Sequence, residues 1–582
     1  MHPSTGWDGL ETVKIKGRSW LGWQTMVWTG LAALVLYGLG QGNHSLWDYH
    51  EPYVAGIVRE MATSHNWVVP TLNGQPYLEK PPLFYALAAL VCRATGSFDP
   101  WALRLPSALL ALATVVWVSF LGWRLNSARA GTWAGFMLAT SVLFFSVGHE
   151  AVVDMTLTAA VSFGLGTAFL VMIGFRRRWV PWFWVGLGLS FLAKGVVGPL
   201  MILLPLGLTL LIERDRGLLK AFLAPNWGML AAFLLPLAWI VALYINGGTE
   251  YLVEVFIRNT FGRFLADPAL VPRTGRLGEH VEPFFFYFSR TPGNVLPWLA
   301  IWVVALWSAL PGRRKLPHQH MSPRAYFLPL AFAVNLLLLS ISREKRMVYL
   351  LPILPITFLH AALWLDVRIP RARARIDRTL LAILGLTLLL VGILGAGFPW
   401  YLAVRGEMPK AAAAAVSLVS LALSAASLRH LWRRDHTAAL NEVMLQWTAF
   451  LAVFLVVAVP SYDREAWAPL THPYEVAQTL EKNGYTVYAS CLTETQMGFS
   501  SLTLRHDLPT LNDPAKVRAA LASPRPVVVL IEPLHWKAPA FREAGAAAIV
   551  VRTRTSDCRK CSDNRAPEVL VNVLPPKGLS LD

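Results

Sequence analysis

Long apolar runs recur along most of this 582-residue chain, and many reach about 18 residues or more, enough to cross ~30 Å of hydrocarbon. Such runs admit one regular solution in lipid, a helix that satisfies its own backbone hydrogen bonds. They lie near 22–40, 102–122, 130–148, 155–174, 179–193, 196–212, 226–245, 293–310, 325–341, 347–365, 379–400, 411–428 and 440–460. Composition agrees: 55% of residues are hydrophobic and only 15% are charged, which describes a polytopic membrane protein and not a soluble one. The net charge of +17 does not point to nucleic acid, because Lys and Arg sit in short clusters between apolar runs, the pattern that orients membrane helices.

Threading the thirteen runs alternately puts the basic clusters on one side, read as cytoplasmic: Lys14/Lys16/Arg18, Arg124/Arg129, Arg176–Arg178, Arg214/Arg216/Lys220, Arg313–Lys315, Arg368–Arg375 and Arg429–Arg434. The polar start followed by run 22–40 reads as a signal anchor with a cytoplasmic N-terminus. The segment "PPLFYALAALVC" (81–92) is too short to span and is expected along the outer surface. This predicts a transmembrane domain over 1–460, with a first outer loop at 41–101 and a second at 246–292. Residues 461–582 change character. Helical patterns ("YEVAQTLEKNG", "PAKVRAALAS") alternate with β-branched runs ("YTVYAS", "PVVVLIE", "AAIVVRT"), which predicts a small α/β domain facing the periplasm of a bacterial inner membrane. The fold class expected is therefore an α-helical polytopic membrane protein with an α/β tail.

Ionisable residues gather on the outer side. "LWDYHEPYVAGIVREM" places Asp48, His50 and Glu51 at the start of a segment whose Val54, Ile57 and Met61 recur at helical spacing, with Arg59 and Glu60 on the opposite, wet side. That pattern predicts an amphipathic helix lying in the interface. Further along, "LNGQPYLEKPPLFY" has an Asn73-Gly74 turn and sets Glu79 and Lys80 before Pro-Pro. Asp154 opens a span, Lys194 lies between two apolar runs, Arg258 and Arg263 fall in the second loop, and "SREKRMVYLLPILP" carries Arg343, Lys345 and Arg346. Taken singly, Asp48 or Glu51 reads equally well as a helix-capping acid, and Lys80 as a snorkelling amine. Together they read as a site, because ionisable groups at membrane depth are costly. Lys and Arg on this side oppose the orienting rule, and a phosphate is the anion that suits them.

These motifs, with "DMTLT" and "LAKGVVG", resemble the polyprenyl-phosphate-sugar-dependent membrane glycosyltransferases, among them lipid A aminoarabinose transferases and protein mannosyltransferases. The resemblance covers residues 20–365, and beyond them only the architecture is alike. It implies a GT-C fold and inverting transfer from a lipid-linked sugar at the outer leaflet. The donor it implies is an undecaprenyl-phosphate sugar, possible sugars including 4-amino-4-deoxy-L-arabinose, and the acceptor is lipid A or another envelope molecule. It implies an acidic pair at His50-Glu51, a second acid at Asp154, Glu79-Lys80 before Pro-Pro, a loop cation at Arg263, and Lys345 with Tyr349 in a later turn. The family has Asp-Glu where this chain has His50-Glu51, so either His50 or Asp48 takes the acid's place.

In such a transfer the leaving phosphate is already a stable anion and needs positive charge, which Lys80, Arg263 and Lys345 can supply, with a hydrogen bond from Tyr349. Asp48, His50, Glu51 and Asp154 are the candidate catalytic groups, as base for a hydroxyl acceptor or as orienting groups for a phosphate acceptor. Glu79 and Lys194 are expected to contact substrate. The scheme requires no cofactor, and no ligand spacing indicates a divalent metal, although one is compatible with it. His149, Glu150 and His280 read as polar rim residues, and Cys558 with Cys561 as a disulfide, with Cys491 a potential third party. A transporter for a lipid-linked sugar and a protein O-glycosyltransferase are the rival readings. The ionisable groups lie at one face, whereas a transporter places them near the midplane.

Overall fold

The computed structural model describes residues 21–47, 50–174, 177–265, 281–309, 326–372, 378–551, 553, 566–575 and 579. Asp48, His280, Cys558 and Cys561 lie outside the described residues. Each apolar run carries helix. Among the described residues, seven helical segments are long and apolar enough to cross a membrane: Pro100–Leu125, Val153–Met172, Trp227–Leu265, Met347–Ile369, Leu381–Val404, Lys410–Trp432 and His436–Ala466. Seven qualify by length, against the thirteen threaded, because other runs fold as helices of 10–17 residues, such as Val180–Lys194 and Phe327–Ile341. The run at 130–148 breaks at Ser141, whose extended backbone separates Ala128–Thr140 from Val142–Val147.

Val153–Met172 and Met347–Ile369 are almost wholly buried and form the centre of the bundle, whereas Trp227–Leu265 and Lys410–Trp432 leave most of their surface exposed at its rim. The central packing is close. A Cβ added to Gly186 would sit 2.8 Å from Cα of Gly164, the small-residue approach by which membrane helices gain contact without a hydrophobic drive. The short apolar segment folds as the helix Leu83–Thr95. Its 13 residues reach only about 20 Å, too short to span, and its Phe84, Tyr85, Ala88, Ala89 and Cys92 are buried.

The first loop departs from expectation. The helix Glu51–Ser64 is not an interfacial helix with one wet face, since Glu51 through Ala62 are all buried. The tail domain covers it. Arg59 donates to Ser501 Oγ and the Arg505 carbonyl, both at 2.8 Å, and Glu60 accepts from the backbone of Asn73 at 2.6 Å and Gly74 at 3.2 Å. Asn73 and Gly74 both adopt positive φ, 52° and 70°. They form the expected tight turn of a hairpin between β1 (Thr71–Leu72) and β2 (Gln75–Pro76).

The tail folds on a four-stranded sheet of β3 (Thr486–Ser490), β4 (Val527–Ile531), β5 (Ile549–Val551) and β6 (Glu568–Val571), in the order β3-β4-β6-β5. β3 and β4 are parallel, and the other pairs are antiparallel. β4, all Val, Leu and Ile, is buried throughout, as a central strand should be. The helix Glu494–Leu504 begins at a capping box, Thr493 accepting from the Gln496 backbone while the Gln496 side chain accepts from Thr493. It crosses Glu51–Ser64 so closely that a Cβ on Gly498 would lie 2.1 Å from the Pro52 carbonyl.

Gly498→Val has no room against that backbone. We expect a loss of about 1–3 kcal/mol of stability by overpacking. The readouts are thermal unfolding of the purified protein and faster protease cleavage between bundle and tail.

Candidate active site

The site is framed by a buried ion pair that the sequence did not announce. Arg104, inside the span Pro100–Leu125, is fully buried, and its guanidinium uses all five N–H groups. Nε donates to Glu51 Oε1 at 2.7 Å, Nη2 to Glu51 Oε2 at 2.7 Å and the Ser45 carbonyl at 2.6 Å, and Nη1 to the carbonyls of Gln41 at 2.9 Å and His44 at 3.2 Å. Glu51 also accepts from the backbone N–H of Trp47 at 2.6 Å and Ala151 at 2.8 Å. This geometry corrects the expectation that Glu51 acts on substrate. With both oxygens engaged twice, it anchors the first loop to the bundle. Asp463, at the end of the last long helix, tightens the same loop by accepting from Ser45 and from Trp47 Nε1 at 2.5 Å.

Next to this anchor lies a second cluster. Glu79 makes a short ion pair with Arg263 and a longer one, 3.5 Å, with Lys80. Arg263 Nε donates to Asn259 Oδ1 at 3.2 Å, at the end of the π-helical turns Val253–Gly262, a rare conformation that recurs at functional sites. Burial alone would raise the Glu79 carboxyl, but Arg263 and Lys80 reverse this and hold it below the usual carboxylate range. Tyr53 and Tyr77 stack obliquely at 5.6 Å, and Tyr77 donates to Glu494 Oε2 at 3.3 Å. Burial, reinforced by the Glu79 carboxylate, pushes Glu494 up to about 7. Among the described residues, Glu494 Oε1 and the Tyr85 hydroxyl are buried without a hydrogen-bond partner, an arrangement that native structures rarely tolerate without a reason.

A third group joins the spans to this cluster. Lys194 makes a short ion pair with Asp154, and its ammonium lies 4.0 Å from the centre of the Tyr349 ring. Tyr349 is in turn within electrostatic reach of Lys80 and Arg263. Lys194 therefore holds Asp154. Lys345 departs from expectation: it is buried, and its ammonium donates to the Glu282 carbonyl at 2.7 Å. Its neighbour Arg346 turns the other way and donates to His50 Nε2 at 2.6 Å. The structure thus gathers Glu79, Lys80 and Arg263, brings Asp154, Lys194 and Tyr349 beside them, and diverts Glu51 and Lys345 to structural contacts.

Buried cations, carboxylates and tyrosines converging at one face of a helical bundle make the architecture of a membrane glycosyltransferase of the GT-C fold. The comparisons agree. Residues 79–242 match the family described as dolichyl-phosphate-mannose-protein mannosyltransferase. The undecaprenyl phosphate-alpha-4-amino-4-deoxy-L-arabinose arabinosyl transferase of Aeromonas hydrophila is 25% identical over 73% of this chain and 74% of its own length. A Proteus mirabilis protein of the same name, numbered 2, is 29% identical over 55% of this chain and 56% of its own length. The crystal structure of ArnT from Cupriavidus metallidurans bound to undecaprenyl phosphate superposes with a TM-score of 0.69 at 20% identity, over 97% of this chain and 99% of that one. That likeness establishes a shared fold. Fold and relatives alike are those of membrane glycosyltransferases.

Sequence reasoning missed Arg104, Glu494, Tyr53, Tyr77 and Tyr85, and named Arg346 only as one of several outer-side cations. Arg104 had a signal, a lone charge within an apolar run. Glu494 had none, because nothing local marks a tail carboxylate as neighbour to a loop 415 positions earlier, the separation of Glu79 from Glu494.

Arg104→Ala strands the Glu51 carboxylate in the interior. A loss of about 3–5 kcal/mol is expected, read as a large fall in thermal midpoint and in yield of folded protein. Glu51→Gln, which keeps the shape, should cost less.

Proposed function

We propose that this chain is an inverting glycosyltransferase. It takes a sugar, foremost 4-amino-4-deoxy-L-arabinose, from an undecaprenyl-phosphate donor and passes it to lipid A or another envelope acceptor on the periplasmic side of the inner membrane. The observation that carries this reading is the buried pairing of Lys80 and Arg263 about Glu79, with the unpartnered oxygen of Glu494 alongside. The names of the relatives support the donor and the sugar.

The acceptor oxygen forms its bond to the anomeric carbon as the bond to the phosphate oxygen breaks. The electron pair leaves with the lipid phosphate. Lys80 and Arg263 stabilise that departing charge in a site shielded from water, where preorganised cations act most strongly. Tyr349 adds a hydrogen bond. A phosphate acceptor is already anionic and needs no base. For a hydroxyl acceptor Asp154 and Asp48 are the candidate bases, and Lys194 orients Asp154. Glu494 with Tyr53 and Tyr77 suits an ammonium group on the sugar, because a carboxylate and aromatic faces both attract a cation. No step is routed through a metal. A protein hydroxyl as acceptor is the second reading, favoured by the mannosyltransferase match over residues 79–242.

The test is transfer by purified protein from undecaprenyl-phosphate aminoarabinose to lipid A, with a Ser/Thr peptide as the competing acceptor. Label should enter lipid A, and Lys80→Ala should slow the reaction about 10²–10³-fold. Transfer to neither acceptor, or a Lys80→Ala variant as fast as wild type, would sink the proposal.

Glu494 adds a pH signature. With its carboxyl near 7, it is neutral below and negative above. Efficiency toward an amino-sugar donor should therefore rise with pH through about 7. Glu494→Gln should remove that limb while leaving the rest of the kcat/KM profile in place.

A further inference from the structure

Arg346 lies where motif spacing assigned a phosphate-facing cation to its neighbour. Arg346 is extended, with φ −134° and ψ 148°, and successive side chains of an extended segment point to opposite sides. Lys345 accordingly reaches outward to the second loop and bonds the Glu282 carbonyl. Arg346 reaches inward, where its charge acts on Tyr349, Tyr53, Glu79 and Arg263, the first three of which also act on Lys80. Its backbone is pinned as well, since the carbonyl accepts from the Tyr349 N–H at 3.1 Å and from the Tyr287 hydroxyl at 3.4 Å.

His50 meets this guanidinium with Nε2, 2.6 Å from Nη1. A guanidinium only donates, so His50 meets it with a ring-nitrogen lone pair, Nε2 lying nearer to Nη1, at 2.6 Å, than Nδ1 does, at 3.3 Å. The His50 ring is set by its edge-on contact with Tyr53, centroids 5.8 Å apart. A neutral imidazole directs an arginine without cancelling its charge, which a carboxylate at the same place would do.

We propose that Arg346 is a third phosphate-binding cation of the donor pocket, and that His50 is the positioning residue that aims it. This rests on the glycosyl-transfer reading above. Three cations from three separate segments, Lys80, Arg263 and Arg346, then surround the phosphodiester, and Arg346 supplies the forked donor geometry that a lysine lacks.

The experiment measures binding of undecaprenyl phosphate to the purified full-length protein, with undecaprenol as the neutral control. Arg346→Gln should weaken undecaprenyl-phosphate binding at least about tenfold, as expected for a lost charge-assisted contact, and leave undecaprenol binding and the thermal midpoint unchanged. Arg346→Lys should fall between. His50→Leu should lose as much as Arg346→Gln. His50→Gln, whose amide oxygen can still accept, should keep most of the affinity, and the double variant should lose no more than either single one. Wild-type affinity in Arg346→Gln, or equal losses for phosphate and alcohol, overturns the assignment. If wild type transfers sugar but Arg346→Gln binds normally, this inference alone fails. If wild type neither binds undecaprenyl phosphate nor transfers, the functional reading beneath it falls too.

Discussion

The interaction on which the rest depends is the pairing of Glu51 with Arg104. A fully buried carboxylate and a fully buried guanidinium are each costly to remove from water, and such a pair persists only when every remaining hydrogen-bonding group is matched. Here that condition is met by the first-loop carbonyls and by the backbone of Trp47 and Ala151. The pair therefore does more than join two side chains. It ties Gln41, His44, Ser45 and Trp47 to the bundle, and so fixes the starting point of the helix Glu51–Ser64.

From that starting point the site assembles by covering. The first-loop helix presents Tyr53, and the hairpin beyond it presents Tyr77, Glu79 and Lys80. The rim span Trp227–Leu265 brings Arg263, and the tail helix Glu494–Leu504 closes over the first loop and brings Glu494. Burial strengthens these charges, since a cation shielded from water acts on a neighbouring anion far more strongly than one in solvent. The same burial pushes the Glu494 carboxyl up to about 7.

Much of this was legible in the residues. The spans were visible as apolar runs, the face of the site as ionisable groups opposing the charge rule, and the Asn73-Gly74 turn as a dipeptide that tolerates positive φ. Glu79 pairs with Lys80 and Arg263, and Asp154 with Lys194. What misled was the helix Glu51–Ser64. Its polar side, Arg59 and Glu60, reads as wet in isolation because a periodic pattern records contrast between faces, and it cannot tell water from the tail groups that match Arg59 or the hairpin backbone that matches Glu60. Lys345 and Arg346 take different partners for a similar reason. Composition places a cation in the turn, but the backbone angles decide which of two neighbours points inward.

The sequence by itself determined that the chain crosses a membrane many times, that its tail is α/β, and that basic and acidic residues gather on one face. These properties follow from local hydropathy, period and charge, which are written residue by residue. Only the tertiary structure decided which charges meet one another and which are tied to the backbone. That distinction depends on which partners meet across hundreds of positions: Glu51 with Arg104, Lys345 with Glu282, Glu79 with Arg263 and Glu494. A carboxylate surrounded by donors is a girder, and one left with an open oxygen is a tool. No stretch of sequence short enough to read by pattern contains both members of such a pair.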